Sequence, residues 1–135
     1  MIAVDSSIII DVIYDDPVFG EASGIALSEA VDSDDVVICD AAFAEICSYS
    51  EPVEPLLETL SRSGIRFSAL TEQSAIRAGI MQQRFRKRGG KRKERVASDF
   101  LVGAHALLQC NALITRDQGF FRDFFKGLKI INPAS

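Results

Sequence analysis

Short apolar segments alternate with longer segments of helical periodicity, and this alternation is the feature that most limits how the chain can fold. The apolar segments span residues 2–5, 35–39, 65–70, 112–115 and 128–131. Between most of them, apolar residues recur every three or four positions, which indicates helices with one face against a sheet. Strands separated by helices pair in parallel through crossover connections. We therefore predict an α/β fold with a mainly parallel central sheet of about five strands flanked by helices.

Capping residues and prolines set the expected helix boundaries. Ser6 or Ser7 caps the first helix, Pro17 opens the second, and Gly64 closes the fourth. A glycine turn is expected after Asp117, and the last strand is expected at an edge of the sheet. The predicted helices span residues 6–16, 17–30, 40–48, 52–63, 71–88 and 97–110.

Length and hydrophobicity indicate a single domain over residues 1–135. The chain has 135 residues, of which 47% are hydrophobic, enough for one well-buried core. The longest stretch without a formal charge, residues 100–115, is interrupted by polar side chains and is too short to span a membrane. Met1 leads directly into the first strand without an export signal, so we expect a cytoplasmic protein.

The charge of the chain is distributed unevenly. The formal net charge is −4, yet residues 84–95 hold 8 bases and 1 acid. Such a dense basic tract favours binding to phosphates, although bases at the end of a helix also stabilise its dipole. The residues expected to bind a nucleic acid are Arg86, Lys87, Arg88, Lys91, Arg92 and Lys93.

Two predicted strands end on acids, and two further acids lie in apolar helical segments. Asp5 follows the first strand, Asp117 follows the fourth, and Glu45 and Asp99 belong to helices. Each has a simpler explanation: Asp5 and Asp99 could cap helices, and Glu45 could face solvent. In an open parallel sheet, however, ligands bind beyond the carboxyl ends of the strands.

Four carboxylates at one sheet edge would repel one another unless they are protonated or bind a cation. Hard oxygen ligands with hydroxyl neighbours suit Mg²⁺ or Mn²⁺, which polarise phosphoryl oxygens and activate water. The pattern therefore favours a metal-dependent site for phosphate chemistry.

Several ordered motifs resemble the PIN-domain ribonucleases, and most closely the VapC-like toxins of toxin–antitoxin pairs. They are MIAVDSSIIIDVI, AEI, SDFLVGAHAL and ALITRDQGFFRDFFKGLKIINP. The resemblance covers nearly the whole chain in order. It implies that metal-binding acids lie at Asp5, Glu45, Asp99 and Asp117, with supporting hydroxyls at Ser6 and Thr115. Many members of that family have another acid where this chain has Gly119.

The resemblance also implies an activity and partners. We expect a Mg²⁺- or Mn²⁺-dependent endoribonuclease that forms a homodimer and is inhibited by a cognate antitoxin, often through a basic side chain. One alternative is a structure-specific DNA nuclease of the same fold group. A second is a nucleic-acid-binding protein that has lost catalysis.

His105, the only histidine, and a group of phenylalanines are interpreted as packing residues. His105 lies six residues after Asp99 and therefore points away from it on a helix. Stacking of phenylalanines on bases is the alternative to a core or subunit contact. The phenylalanines in question are Phe120, Phe121, Phe124 and Phe125.

Overall fold

The computed structural model describes residues 1–91 and 95–134. Its single sheet has five strands in the order β3-β2-β1-β4-β5, and every neighbouring pair is parallel. This confirms the predicted α/β class and places the last strand at an edge. The strands are β1 (Ile2–Val4), β2 (Val36–Cys39), β3 (Ile65–Ser68), β4 (Ala112–Ile114) and β5 (Lys129–Ile131).

The described residues form seven helices, six of them close to the predicted ranges. They are α1 (Ser6–Ile13), α2 (Gly20–Ser33), α3 (Asp40–Cys47), α4 (Glu54–Arg62), α5 (Glu72–Lys87), α6 (Ala97–Gln109) and α7 (Gln118–Phe124).

The boundary between α1 and α2 differs from the prediction. Pro17 does not begin α2, because the Asp16 carboxylate accepts hydrogen bonds from the backbone N–H groups of Val18 and Phe19 and holds them in a turn. The seventh helix, α7, was not predicted; only a glycine turn was expected there.

The direction of chain progression reverses at β1. The chain passes from β1 to β2 and β3 on one side, and then returns to β4 and β5 on the other. Val4 pairs with Ile114, so Asp5 and Thr115 leave the sheet side by side. Reversal points of this kind form the ligand crevice of open α/β sheets.

The three central strands are buried along their whole length, so helices cover both faces of the sheet. Phe120, Phe121 and Phe125 are also buried, which confirms the core interpretation for these three side chains. Gly103 of α6 lies against this aromatic group, because a Cβ at that position would come within 2.3 Å of the Phe125 ring. No helix in the described ranges is long and apolar enough to cross a membrane.

His105 is 1% exposed and packs in the core, as predicted. Its Nε2 is 2.9 Å from Ser68 Oγ, and its Nδ1 has no hydrogen-bond partner among the described residues. Burial lowers the pKa of His105, and the charge of Asp40 opposes that shift in part. The histidine is therefore neutral in the folded protein at physiological pH.

We expect Gly103→Ala to destabilise the protein by about 1–3 kcal/mol, because the added methyl group must displace a buried ring. Gly79→Ala is the matched control. Nothing lies within 4 Å of a Cβ at position 79 of α5, so that substitution should stabilise the helix by up to about 1 kcal/mol. Urea denaturation of both variants measures the difference. Equal effects would mean that α6 and Phe125 are not packed as described.

We also expect His105 to make stability depend on pH below its ordinary pKa of 6.5. As the pH falls from that value, the unfolded chain binds a proton that the folded chain excludes, so the free energy of unfolding decreases. The difference between wild type and His105→Gln should shrink by at most about 1.4 kcal/mol per pH unit. Urea titrations between pH 5 and 8 measure it, and a constant difference would contradict a neutral buried histidine.

Candidate active site

A cavity of about 370 Å³ opens at the edge of the sheet where β1 and β4 end. All four acids selected from the sequence line it, together with Ser6. Two residues not selected from the sequence, Ser7 and Arg116, complete the lining. The full set is Asp5, Ser6, Ser7, Glu45, Asp99, Arg116 and Asp117.

Asp5 is the most constrained of the acids. Its carboxylate caps α1 by accepting the N–H of Ser6 at 2.8 Å, and it accepts the Thr115 hydroxyl at 2.8 Å. Burial raises the pKa of Asp5 to about 6, with smaller contributions from the negative charges of Asp99 and Glu45, while the two hydrogen bonds oppose the rise. Asp5, rather than the predicted Ser6 or Ser7, is therefore the capping residue of α1, and this role coexists with a place in the cavity.

Thr115 connects the two strand ends. Its buried hydroxyl donates to Asp5 Oδ2 and accepts the backbone N–H of Asp117 at 3.1 Å. One side chain thus fixes both the Asp5 carboxylate and the backbone of Asp117.

Asp99 and Glu45 approach the cavity from helices. Asp99 is in the first turn of α6, where its carboxylate accepts the N–H of Val96 at 3.3 Å, so Val96, rather than Asp99, is the capping position. Burial raises the pKa of Asp99, and the charges of Asp117 and Glu45 add to the rise. Glu45 is exposed to solvent on α3 and still lines the cavity.

Asp117 is paired with an arginine that sequence reasoning did not assign to the site. Arg95 donates to both carboxylate oxygens of Asp117, with Nη2 at 3.2 Å from Oδ1. The same guanidinium lies 4.2 Å from the centroid of the Phe120 ring. Arg95 therefore neutralises the acid at the end of β4.

Arg116 lines the cavity and contacts both Asp11 and Phe19. It donates to both oxygens of Asp11 on α1, at 2.8 Å and 3.0 Å, and stacks at 4.0 Å on the ring of Phe19. Asp11 also accepts the hydroxyl of Ser23 at 2.8 Å. The signal that could have revealed this pair is a lone acid within the apolar segment SSIIIDVI.

The carboxylates fit a divalent cation by the chemistry of their oxygen atoms. Hard anionic oxygens are the ligands that Mg²⁺ and Mn²⁺ prefer. Burial is the main cause of the raised pKa values of Asp5 and Asp99, and the negative charges of neighbouring acids add a smaller part. Among the described residues, no three acidic, histidine or cysteine side chains are close enough to hold an ion as they stand. Coordination would therefore require side-chain adjustment around the cavity.

The basic tract leads toward this cavity without lining it. Arg95 is its last residue and the one that reaches Asp117. Two of the predicted RNA-binding residues, Arg92 and Lys93, fall outside the described ranges. The other four are exposed: Arg86, Lys87, Arg88 and Lys91.

A larger open groove of about 570 Å³ lies where α1 and α3 end and α4 begins. Its lining is largely apolar and aromatic, with Tyr14 and Tyr49 among the residues, and Glu51 is its only acid among the described residues. An acidic catalytic site is therefore better placed at the smaller cavity.

The PIN domain family model matches residues 2–124 of the sequence. No curated protein matches the sequence.

Solved structures with the same fold include two VapBC structures and FitAcB. VapBC-1 of nontypeable Haemophilus influenzae has a TM-score of 0.76 at 22% identity and 100% coverage of both chains. VapBC2 of Rickettsia felis, bound to a promoter DNA fragment, has a TM-score of 0.74 at 19% identity and 98% coverage of both chains. FitAcB of Neisseria gonorrhoeae has a TM-score of 0.67 at 20% identity and 98% coverage of both chains. At these identities the similarity concerns the fold.

Proposed function

This chain belongs to the PIN domain family, and from that premise we propose that it is a metal-dependent endoribonuclease acting as the toxin of a toxin–antitoxin pair. The observation that carries the proposal is the convergence of Asp5, Glu45, Asp99 and Asp117 on one cavity at the reversal point of the sheet. Helix capping and the ion pair with Arg95 account for the local contacts of three of these acids. Those contacts do not require four carboxylates from separate parts of the chain to line one cavity, where their like charges repel.

The four acids would hold one or more Mg²⁺ or Mn²⁺ ions, with Asp5 and Asp99 the more deeply placed. A bound ion supplies Lewis-acid polarisation of a phosphoryl oxygen and lowers the pKa of water. Thr115 keeps the Asp5 carboxylate oriented toward the cavity and fixes the backbone of Asp117. Ser6 keeps Asp5 in place through its backbone N–H.

RNA would approach along the basic tract. Arg88 lies in a cleft that extends the positive surface along α5 to Arg77 and Arg84 and across to Lys126. Asp123 also lines the cleft, but it pairs with Arg122 at 3.5 Å. Cations that bind the backbone raise affinity without selecting a sequence, which suits an extended single strand.

A cognate antitoxin is the proposed protein partner, and a homodimer the proposed assembly. One structure of similar fold is described as a toxin–antitoxin complex from Klebsiella pneumoniae, and two others are VapBC structures, which supports such a partner. Asp117, which lines the cavity, already pairs with the guanidinium of Arg95. A basic side chain of an antitoxin could therefore occlude the cavity in the same way.

Cleavage of matched RNA and DNA oligonucleotides with Mg²⁺, Mn²⁺ or EDTA tests the activity. The proposal predicts cleavage of RNA in either metal and none in EDTA. Preferential cleavage of DNA would favour the alternative nuclease, and binding without cleavage in any metal would favour a protein that has lost catalysis.

We expect Asp99→Asn to separate stability from metal binding. The amide oxygen can still accept the N–H of Val96, and loss of one negative charge should raise the stability of the metal-free protein by about 1 kcal/mol. Metal at about one hundred times its dissociation constant should stabilise wild type by about 2.7 kcal/mol, and the variant by much less. RNA cleavage by the variant should fall to background.

Thermal melts with and without Mn²⁺ measure this, and Asp32→Asn, at an exposed position of α2, is the control. The control should keep the full metal-induced shift. If Asp99→Asn also keeps it and still cleaves RNA, the carboxylate serves only the start of α6.

We further expect Arg86→Gln/Lys87→Gln to weaken RNA binding for all sequences. Each lost single-strand contact should reduce the slope of log K against log salt by about 0.7. Arg62→Gln/Arg66→Gln removes the same charge from exposed positions on α4 and β3 and should leave the slope unchanged. Fluorescence anisotropy with labelled RNA measures both, and equal slopes in the two variants would remove Arg86 and Lys87 from the RNA path.

A further inference from the structure

Asp11 is a buried charged residue in the mainly apolar helix α1, and it forms an ion pair with Arg116 after β4. The side chain of Asp11 is 4% exposed, and that of Arg116 is 27% exposed. A buried pair of this kind is weak evidence for stability, because desolvation cancels much of the attraction and apolar residues of similar volume often serve as well. A role in placing one of the two groups accounts better for its presence.

The group that is placed is the guanidinium of Arg116. The carboxylate of Asp11 accepts hydrogen bonds from Nε and Nη2 of Arg116, so the buried acid fixes one edge of the guanidinium. Phe19 stacks on the guanidinium at 4.0 Å. Phe19 is itself held, because Asp16 accepts its backbone N–H at 2.8 Å. The hydroxyl of Ser23 binds Asp11 in turn and limits its movement.

The side chain fixed in this way lines the acidic cavity. Arg116 stands there with Asp5, Asp99 and Asp117. Nη1 has no part in the bonds to Asp11. A fixed guanidinium whose Nη1 takes no part in the pair with Asp11, placed beside acidic oxygens, is suited to bind an oxygen of a phosphate, since charge-assisted hydrogen bonds to phosphate are strong and directional.

We propose that Arg116 binds a non-bridging oxygen of an RNA phosphate in the cavity, and that Asp11 is its positioning residue. This inference rests on the proposed nuclease function, and it adds a substrate contact outside the acidic set and the basic tract. It also explains why the arginine is tied down, because a guanidinium fixed before the substrate arrives loses less entropy on binding it.

The test compares three changes. Asp11→Leu/Arg116→Met replaces the whole pair with apolar side chains, so that no buried charge is left without a partner. Asp11→Asn keeps Arg116 but weakens its anchor. Arg116→Lys keeps the positive charge but cannot form the two-point pair or the planar stack.

Binding of labelled single-stranded RNA is measured by anisotropy at several salt concentrations. EDTA is present so that the RNA is not cleaved during the measurement. The double variant should bind at least about tenfold more weakly, and its slope of log K against log salt should be smaller by about 0.7. Asp11→Asn and Arg116→Lys should fall between the double variant and wild type. Thermal melts with Mn²⁺ should show a metal-induced shift like that of wild type in all three.

Cleavage in Mg²⁺ provides the second measurement. We expect kcat/KM of the double variant to fall by about 10²–10³-fold, as for loss of a preorganised charge-stabilising donor. A double variant that folds, binds RNA with the wild-type salt slope and cleaves at the wild-type rate would show that the pair only ties α1 to the end of β4. If Arg116→Lys bound and cleaved RNA like wild type, the guanidinium of Arg116 and its two-point pair with Asp11 would not be needed. If wild type cleaves nothing, the nuclease proposal fails, whereas the binding measurement still decides the role of Arg116.

Discussion

The crowding of carboxylates where β1 and β4 end is the constraint on which the rest of this structure depends. Parallel pairing in register brings Asp5 beside Thr115, and the helices α3 and α6 add Glu45 and Asp99 to the same cavity. Burial and mutual repulsion raise the pKa of Asp5 to about 6. Such an arrangement opposes folding, and it persists because the fully buried central strands stabilise the sheet that carries it.

Two arginines place positive charge beside these acids. Arg95 binds Asp117 directly and lies over Phe120, so it acts as a cation supplied by the protein itself. Arg116 binds Asp11 through Nε and Nη2, and its Nη1 takes no part in this pair. The cavity is therefore acidic at Asp5 and balanced by positive charge at its sides. An acidic protein needs such cations if a polyanion is to approach its acidic cavity.

The sequence was sufficient for the features that depend on local pattern. The positions of the five strands could be predicted because short apolar segments mark them, and Asp5 and Asp117 follow two of these segments. The helix α7 was missed because a glycine at its second position suggested a turn. Arg95 and Arg116 were missed because their partners lie 22 and 105 residues away, and such pairs depend on tertiary register. The basic tract was recognised as a charge pattern, but the pattern does not reveal that its last residue, Arg95, reaches the cavity.

Anomalous diffraction from crystals soaked in Mn²⁺ would show whether the acidic cavity binds a metal, because it locates the ion without reference to activity. We expect an anomalous peak in the cavity, bound by carboxylate oxygens that include those of Asp5 and Asp99. Peaks confined to surface carboxylates, with the cavity empty at a saturating Mn²⁺ concentration, would contradict it. The four acids would then be helix caps and ion-pair partners that happen to share one edge of the sheet.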